Sequence, residues 1–131
     1  MGLLLSIVTP QRAVLETEVD SVVAPGAEGE FGVLPDHEPF LAPLKPGVVS
    51  YQGGEGSGRV AVSSGFAEVT GDHVALLVQF AETSDEVDRE AAEQERASAE
   101  EALRYADIGE EEKARVHENL GRAIARLEAS G

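Results

Sequence analysis

Three histidines and many carboxylates are the side chains in this sequence that could do chemistry. His37, His73 and His117 could bind zinc or exchange protons, but they share no short ligand spacing such as H-x-x-x-H. The chain has no Cys, which excludes a thiolate metal site, a disulfide scaffold and a cysteine nucleophile. No carboxylate pair stands out as an acid and a base held in an apolar pocket. We therefore expect neither a metal site nor catalytic residues.

A glycine-rich stretch resembles a phosphate loop at first sight. Gly26, Gly29 and Gly32 give the pattern G-x-x-G-x-x-G, but no Gly-Lys-Ser/Thr follows, and the spacing does not match a dinucleotide loop. Glu28 and Glu30 would also repel phosphate. We interpret the three glycines as positions where the backbone takes a positive φ or passes close to another strand. Ser63-Ser64-Gly65 lacks the G-x-S-x-G elbow and is interpreted as a turn into a strand.

Charge and hydropathy exclude several classes of partner. The formal net charge is −15, with ten Lys and Arg against 25 Asp and Glu. Binding to nucleic acid or to an anionic lipid surface needs basic residues, so neither is expected. No apolar run approaches the roughly 20 residues of a membrane span, so no direct membrane insertion is expected. At 131 residues the chain is expected to form one domain, with room for a small appendage.

The composition changes near Glu82 and divides the chain in two. All six Pro and most of the 14 Gly precede this position, whereas Ala, Glu and Arg dominate after it. Gly and Pro separate strands, and Ala, Glu and Arg favour helices. We predict a β-sandwich domain over residues 1–84 and a helical hairpin over residues 85–131.

The first part is predicted to consist of short strands separated by turns. The pair Gly71-Asp72 between two β-rich runs predicts a hairpin. Many short strands with regular turns indicate a closed antiparallel sandwich or barrel. The predicted strands cover residues 3–8, 13–15, 18–24, 31–34, 48–52, 59–62, 65–70 and 73–80.

The second part is predicted to be two helices, over about residues 85–105 and 110–129, joined by residues 106–109. Ser84 or Asp85 could cap the first helix. The second helix has an apolar stripe made of Val116, Leu120, Ala123, Ile124 and Leu127. The first helix offers mainly Ala, which buries little area, so the hairpin should be marginal alone and could move. The alternative is a hairpin that never leaves its domain.

Residues 25–47 carry the most specific pattern, PGAEGEFGVLPDHEPFLAPLKPG. This stretch resembles the signature of the epsilon subunit of bacterial-type F-type ATP synthases, of the form PG-x-EG-x-x-G-V-L-P-x-H-x-P-x-L-x-x-L-K-P-G. The resemblance extends to the first strand, to the segment VSSGFAEV at residues 62–69 and to the helix pair. It implies an α+β protein, in which an antiparallel β-sandwich of about ten strands precedes a two-helix hairpin.

The resemblance also implies a role. Such a subunit is not an enzyme itself but a rotor part of a proton-transporting ATP synthase, peripheral on the cytoplasmic face of the membrane in the F1 sector. The sandwich binds the gamma subunit and the c-ring, and Glu30, Phe31 and His37 correspond to this interface. The hairpin either folds on the sandwich or extends into the alpha/beta head, where it inhibits ATP hydrolysis.

Some members of this family resemble the pattern I/L-D-x-x-R-A and bind ATP on the folded hairpin. The position of the motif Arg is Ala91 here, although Arg89 or Arg96 could compensate. Losing a guanidinium removes a contact worth roughly 1.5–3 kcal/mol, so weak regulatory ATP binding or none is expected, and no cofactor is required. Arg122 and Arg126 could instead neutralise the helix dipole and pair with carboxylates of the first helix. The candidate ATP-site positions that match are Glu82, Val87, Asp88, Ala92, Arg122 and Arg126.

Two other functions remain open at this point. One is a stand-alone acidic β-sandwich adaptor that binds an unrelated protein. The other, much less supported, is a small hydrolase that uses surface carboxylates. Binding to purified gamma distinguishes a rotor subunit from an adaptor, and turnover by the isolated chain would indicate a hydrolase.

Overall fold

A computed structural model of the chain describes residues 2–54, 56–105 and 107–130. In these residues ten strands are followed by a short 3-10 turn, Ser84–Glu86, and two helices. The strands are β1 Leu3–Val8, β2 Ala13–Val19, β3 Ser21–Gly26, β4 Gly29–Val33, β5 Phe40–Leu44, β6 Gly47–Gly53, β7 Gly56–Val62, β8 Gly65–Thr70, β9 His73–Val78 and β10 Ala81–Thr83. The helices are α1 Arg89–Tyr105 and α2 Glu110–Ser130.

The strands form one continuous sheet that folds over into a sandwich. Their order is β10-β7-β6-β3-β5-β8-β9-β1-β2, and β4 pairs with β3. The two halves meet where β3 and β5 share the single pair Gly26 and Leu44. Strands β1 and β9 run parallel, whereas the other paired strands run antiparallel.

The hydrophobic core lies between the two halves of the sheet. In β1, Leu3, Leu5 and Ile7 are fully buried, which is the period-two pattern of a strand with one buried face. The buried residues of this core all come from strands, and Phe31 and Phe40 pack at its edge. The described helical residues form no part of it. The sandwich therefore has a core of its own.

The α+β fold class is confirmed, and the hairpin predicted at Gly71-Asp72 joins β8 to β9. Two strands were missed. Strand β5 contains Pro43, which disfavours a strand from sequence, yet the segment pairs with β8 along its whole length. Strand β10 has three residues, too few to show a pattern, and pairs with β7. Of the three spaced glycines, Gly29 takes a positive φ of 135°.

The helices differ from the prediction at two points. Helix α1 begins at Arg89 rather than near residue 85, because Asp88 caps it by accepting the Ala91 N–H at 3.1 Å. The predicted stripe of α2 was partly wrong, since Ile124 is 39% exposed. The small residues Ala125 and Ala129 are buried against the sheet instead. Ala106, which was assigned to the connection, lies outside the described residues.

No described helix combines the length and apolar character needed to cross a membrane.

Candidate functional site

A stripe of small residues on α2 packs on the outer face of the sandwich. Gly121, Ala125 and Ala129 recur at intervals of four and face β6 and β7. Ala125 and Ala129 form a small buried cluster with Ala61 of β7, and Val48 packs against it. The absence of larger side chains lets the helix approach the sheet closely.

A second stripe of α2 is polar and also recurs every four residues, at Glu118, Arg122 and Arg126. These side chains meet the edge of the sandwich where β7 turns into β8 and β9 leads into β10. The Glu118 carboxylate accepts the Ser64 N–H at 3.0 Å and the Ser64 hydroxyl at 2.7 Å. Both guanidinium groups lie over the Phe80 ring, at 5.1 Å for Arg122 and 5.9 Å for Arg126.

The two arginines form an ionic cluster with carboxylates from both sides of the interface. Arg126 Nε donates to Glu82 Oε1 at 2.8 Å, and these side chains are only 12% and 19% exposed. Arg122 Nη2 donates to Glu95 Oε2 of α1 at 2.6 Å. Arg126 Nη1 lies 3.7 Å from Glu95 Oε1. Two positive and two negative groups therefore balance within the protein.

The structure brings together three of the six candidate ATP-site residues, Glu82, Arg122 and Arg126. The others lie around the start of α1, where Asp88 acts as the helix cap, Ala92 is buried and Val87 is half-buried. The pairing of the arginines with a first-helix carboxylate agrees with one of the two interpretations given above. The sequence reasoning missed Glu95 and Phe80. The available signal for Glu95 was its spacing, because it lies three residues after Ala92 and four before Ala99, on the alanine-rich face of the first helix.

The two arginines that could compensate for Ala91 also have partners within the protein. Arg89 Nη1 donates to the Ser130 hydroxyl at 2.7 Å and to the Leu127 carbonyl at 3.4 Å. Arg96 Nη2 pairs with Glu93 at 2.7 Å. The described arginines near the cluster are thus engaged with protein acceptors.

The segment between sandwich and hairpin is fixed by an exposed ion pair. Arg12, from the turn between β1 and β2, donates to Glu86 Oε1 at 3.0 Å. The same oxygen accepts the Thr83 N–H at 3.0 Å. The hydrogen bond from Arg12, followed by that from the Thr83 backbone, lowers the pKa of Glu86 to about 2.

The three residues that the resemblance assigns to the interface with gamma and the c-ring lie on two different surfaces. His37 lies on a turn, and its ring centroid is 5.1 Å from that of Phe40. Phe31 packs edge-to-face on the same ring at 5.3 Å, so these two aromatic groups share a neighbour. Glu30 points to the opposite side of β4. It lines a cleft of about 360 Å³ beside α2 that also includes Lys45 and Ile124.

An apolar row on the outer face of the sandwich was missed by the sequence reasoning. Pro43 pairs with Phe66, Phe66 with Leu77, and Leu77 with Val8, across the adjacent strands β5, β8, β9 and β1. Phe66 is 54% exposed and Leu77 is 52% exposed. Together they border a groove of about 710 Å³, which also includes Ser64 and Pro10. Such a continuous apolar surface is typical of a protein interface.

Within the part of the chain that the structure describes, no three His, Asp or Glu side chains come together in a way that could hold a metal ion.

Comparison with known proteins agrees with this architecture. Residues 3–84 match the family model described as ATP synthase, Delta/Epsilon chain, beta-sandwich domain. The ATP synthase epsilon chain of Moorella thermoacetica is 48% identical over 128 residues, which cover 97% of this chain and 95% of the relative. The epsilon chain of Herpetosiphon aurantiacus is 44% identical over 130 residues, covering 99% and 95%.

Two solved structures share the fold. A chain in the cryo-EM structure of the Euglena gracilis mitochondrial ATP synthase, comprising OSCP, F1 and the c-ring, matches with a TM-score of 0.81 at 24% identity. The match covers 98% of this chain and 81% of that one. A chain from the Tetrahymena thermophila mitochondrial enzyme, central stalk and c-ring, matches with a TM-score of 0.60 at 13% identity, covering 100% and 98%. From the sequence relationships, the chain belongs to the ATP synthase epsilon chain family, whose members are not catalysts themselves.

Proposed function

We propose that this chain is a central-stalk subunit of a proton-transporting ATP synthase, which couples the gamma subunit to the c-ring and restrains ATP hydrolysis through its hairpin. In this role it is peripheral on the cytoplasmic face of the membrane, as part of the F1 sector. The family membership and the match to a chain in a central stalk and c-ring assembly support the proposal.

The observation that supports inhibition by the hairpin is that the core of the sandwich and the buried contact of α2 with the sheet are separate clusters. The core of the sandwich is built from strand residues, whereas the buried apolar contact between α2 and the sheet is the small cluster of Ala61, Ala125 and Ala129. At about 0.8 kcal/mol per buried methyl-sized group, this cluster contributes roughly 2–3 kcal/mol. The hairpin can therefore leave the sandwich without exposing the main core once the contacts of Glu118 and Arg126 are broken, and the freed helices can reach the alpha/beta head.

The apolar row is the surface that we assign to gamma. A partner that covers Phe66 and Leu77 removes exposed apolar area from water. The groove beside them can accommodate a side chain of the partner. The c-ring contact is assigned to the turn that carries His37. That turn is fixed because the Asp36 N–H donates to the Gly71 carbonyl at 2.8 Å. A rigid attachment suits a part that transmits torque.

Nucleotide is not required in this proposal. Arg122 is already paired with Glu95, and Arg126 with Glu82. The positive charges of both arginines are therefore balanced in the docked hairpin without a bound phosphate. We propose that ATP binds weakly or not at all and that no cofactor is needed.

The test is binding of the purified chain to purified gamma, with Phe66→Ser as the variant. Because Phe66 is exposed, folding should be unaffected, while removal of a central aromatic contact should weaken binding about ten-fold or more. Val23→Ser removes an exposed apolar residue from β3, in the other half of the sheet, and serves as the control. If the unaltered chain does not bind gamma, the proposal is wrong, and the alternative of an adaptor for another protein is favoured.

The inhibitory part is tested in the assembled complex. Deletion of residues 86–131 should leave a folded sandwich that still binds gamma, and the rate of ATP hydrolysis should rise. An unchanged rate of ATP hydrolysis would show that the hairpin does not inhibit the complex.

A further inference from the structure

The hydrogen-bonded pair of Glu118 and Ser64 lies at the boundary between the docked and the projecting part of the hairpin. Counting from the start of α2, Glu118 is the first described side chain that hydrogen-bonds to the sandwich. The residues of α2 that precede it are exposed, apart from Val116, which is half-buried. The small-residue stripe starts three residues later, at Gly121. If the hairpin opens from its tip, which is the end where α2 begins, the Glu118 contact must break before the small-residue stripe leaves the sheet.

The acceptor and donors of this pair are well positioned. Ser64 presents its N–H and its hydroxyl to the two oxygens of one carboxylate, at 3.0 and 2.7 Å, which is a charge-assisted and bidentate arrangement. The turn that holds Ser64 is fixed by its neighbour. The Ser63 N–H donates to the Phe80 carbonyl at 3.0 Å, and the Ser63 hydroxyl accepts the Phe80 N–H at 2.9 Å. The donors of Ser64 are therefore already aimed at α2, so little ordering is needed when the pair forms.

We propose that Glu118 and Ser64 form a latch that sets how often the hairpin opens. While the latch is closed, the segment from Glu118 to the end of α2 opens as one unit. When the latch is broken, opening spreads from the tip towards the small-residue stripe, and the contacts of Arg126 with Glu82 and of both arginines with Phe80 are then the polar contacts left to oppose it. Only the regulatory meaning of the latch rests on the proposed function, because the opening equilibrium is a property of the isolated chain.

The experiment is native-state hydrogen exchange of the full chain, which reports local opening residue by residue. Glu118→Ala should raise the opening equilibrium of the amides at residues 118–130 about ten-fold, while the amides of β1 and β9 in the main core exchange as before. Glu118→Gln should have a smaller effect, because its carbonyl still accepts the Ser64 donors without the charge. Glu111→Ala removes an exposed carboxylate from the same helix and is the control.

A double-mutant cycle tests whether the two residues act together. Ser64→Ala retains the backbone N–H and should have an intermediate effect. The combination of Ser64→Ala with Glu118→Ala should open the hairpin no further than Glu118→Ala alone. The proposal is overturned if Glu118→Ala has no more effect than Glu111→Ala, if the two substitutions add, or if the core amides exchange faster to the same extent. These measurements involve neither gamma nor ATP hydrolysis, so their failure would leave the proposed function to its own tests.

Discussion

Gly121 of α2 lies directly against Pro46, the residue just before β6. A Cβ atom placed at position 121 would stand 2.9 Å from Pro46 Cβ and 3.1 Å from its Cγ. Because the proline ring cannot rotate away, this contact sets how closely α2 approaches the sheet. The small cluster of Ala125, Ala129 and Ala61 depends on that approach.

Gly121→Ala should therefore weaken docking of the hairpin, although Ala is the better helix former by roughly 1 kcal/mol. Overpacking of a close contact costs about 1–3 kcal/mol, which exceeds the gain in helix propensity. Hydrogen exchange of the α2 amides measures the outcome. Gly109→Ala, just before α2, where an added Cβ meets no described atom within 4 Å, is the control for an added methyl group without a clash. If the α2 amides of Gly121→Ala exchange more slowly than those of the unaltered chain, the contact between position 121 and Pro46 does not limit docking.

Removal of the Arg126 guanidinium should destabilise the docked hairpin substantially. Glu82 would keep its charge in a largely buried position after losing its partner, a change that costs roughly 2–3 kcal/mol. Arg126→Ala should lower the free energy of undocking by about that amount. Arg115→Ala is the control, because Arg115 and Glu112 are exposed and 3.9 Å apart, and such surface pairs contribute little. Equal effects of the two substitutions would show that burial of the pair is unimportant.

The Glu86 carboxylate should make stability depend on pH at the acidic end. Its pKa in the folded chain is lowered to about 2, below its ordinary value of 4.5, first by the hydrogen bond from Arg12. A group whose pKa is lowered by folding stabilises the protein above its unfolded pKa, and that contribution is lost as the pH falls through the folded pKa. The stability difference between the unaltered chain and Glu86→Gln should be constant above pH 4.5 and shrink towards zero near pH 2.

Chemical denaturation of both proteins across this range measures the difference. Arg12→Ala should reduce the same pH dependence, since it removes the principal donor. A difference between the unaltered chain and Glu86→Gln that stays constant down to pH 2 would contradict the prediction.

Calorimetric titration of the isolated chain with ATP should show weak binding or none. Ala91 stands where a guanidinium is expected, and Glu95 holds Arg122 and Arg126 through its two carboxylate oxygens. Ala91→Arg should raise the affinity by about ten-fold or more, because one charge-assisted contact is worth roughly 1.5–3 kcal/mol. Micromolar affinity of the unaltered chain would show that other groups replace the missing arginine.

The class of the protein and its division into strands and helices follow from the sequence itself. Pro and Gly before residue 82 interrupt any helix, whereas Ala, Glu and Arg after it favour one, and both tendencies act over a few neighbouring residues. The turn chemistry of Gly71-Asp72 predicted its hairpin correctly for the same reason. The long pattern at residues 25–47 was specific enough to indicate the family.

Tertiary structure alone decided where α2 docks and which side chains meet there. Glu82 and Arg126 are 44 positions apart, and Ser64 and Glu118 are 54 apart, so no local pattern relates them. Strand β5 forms despite Pro43 because its partner β8 supplies the pairing. The apolar row likewise exists only once β5, β8, β9 and β1 lie side by side. The docking site of α2 and the apolar row could not be predicted from the sequence because each is assembled from residues that only the fold brings together.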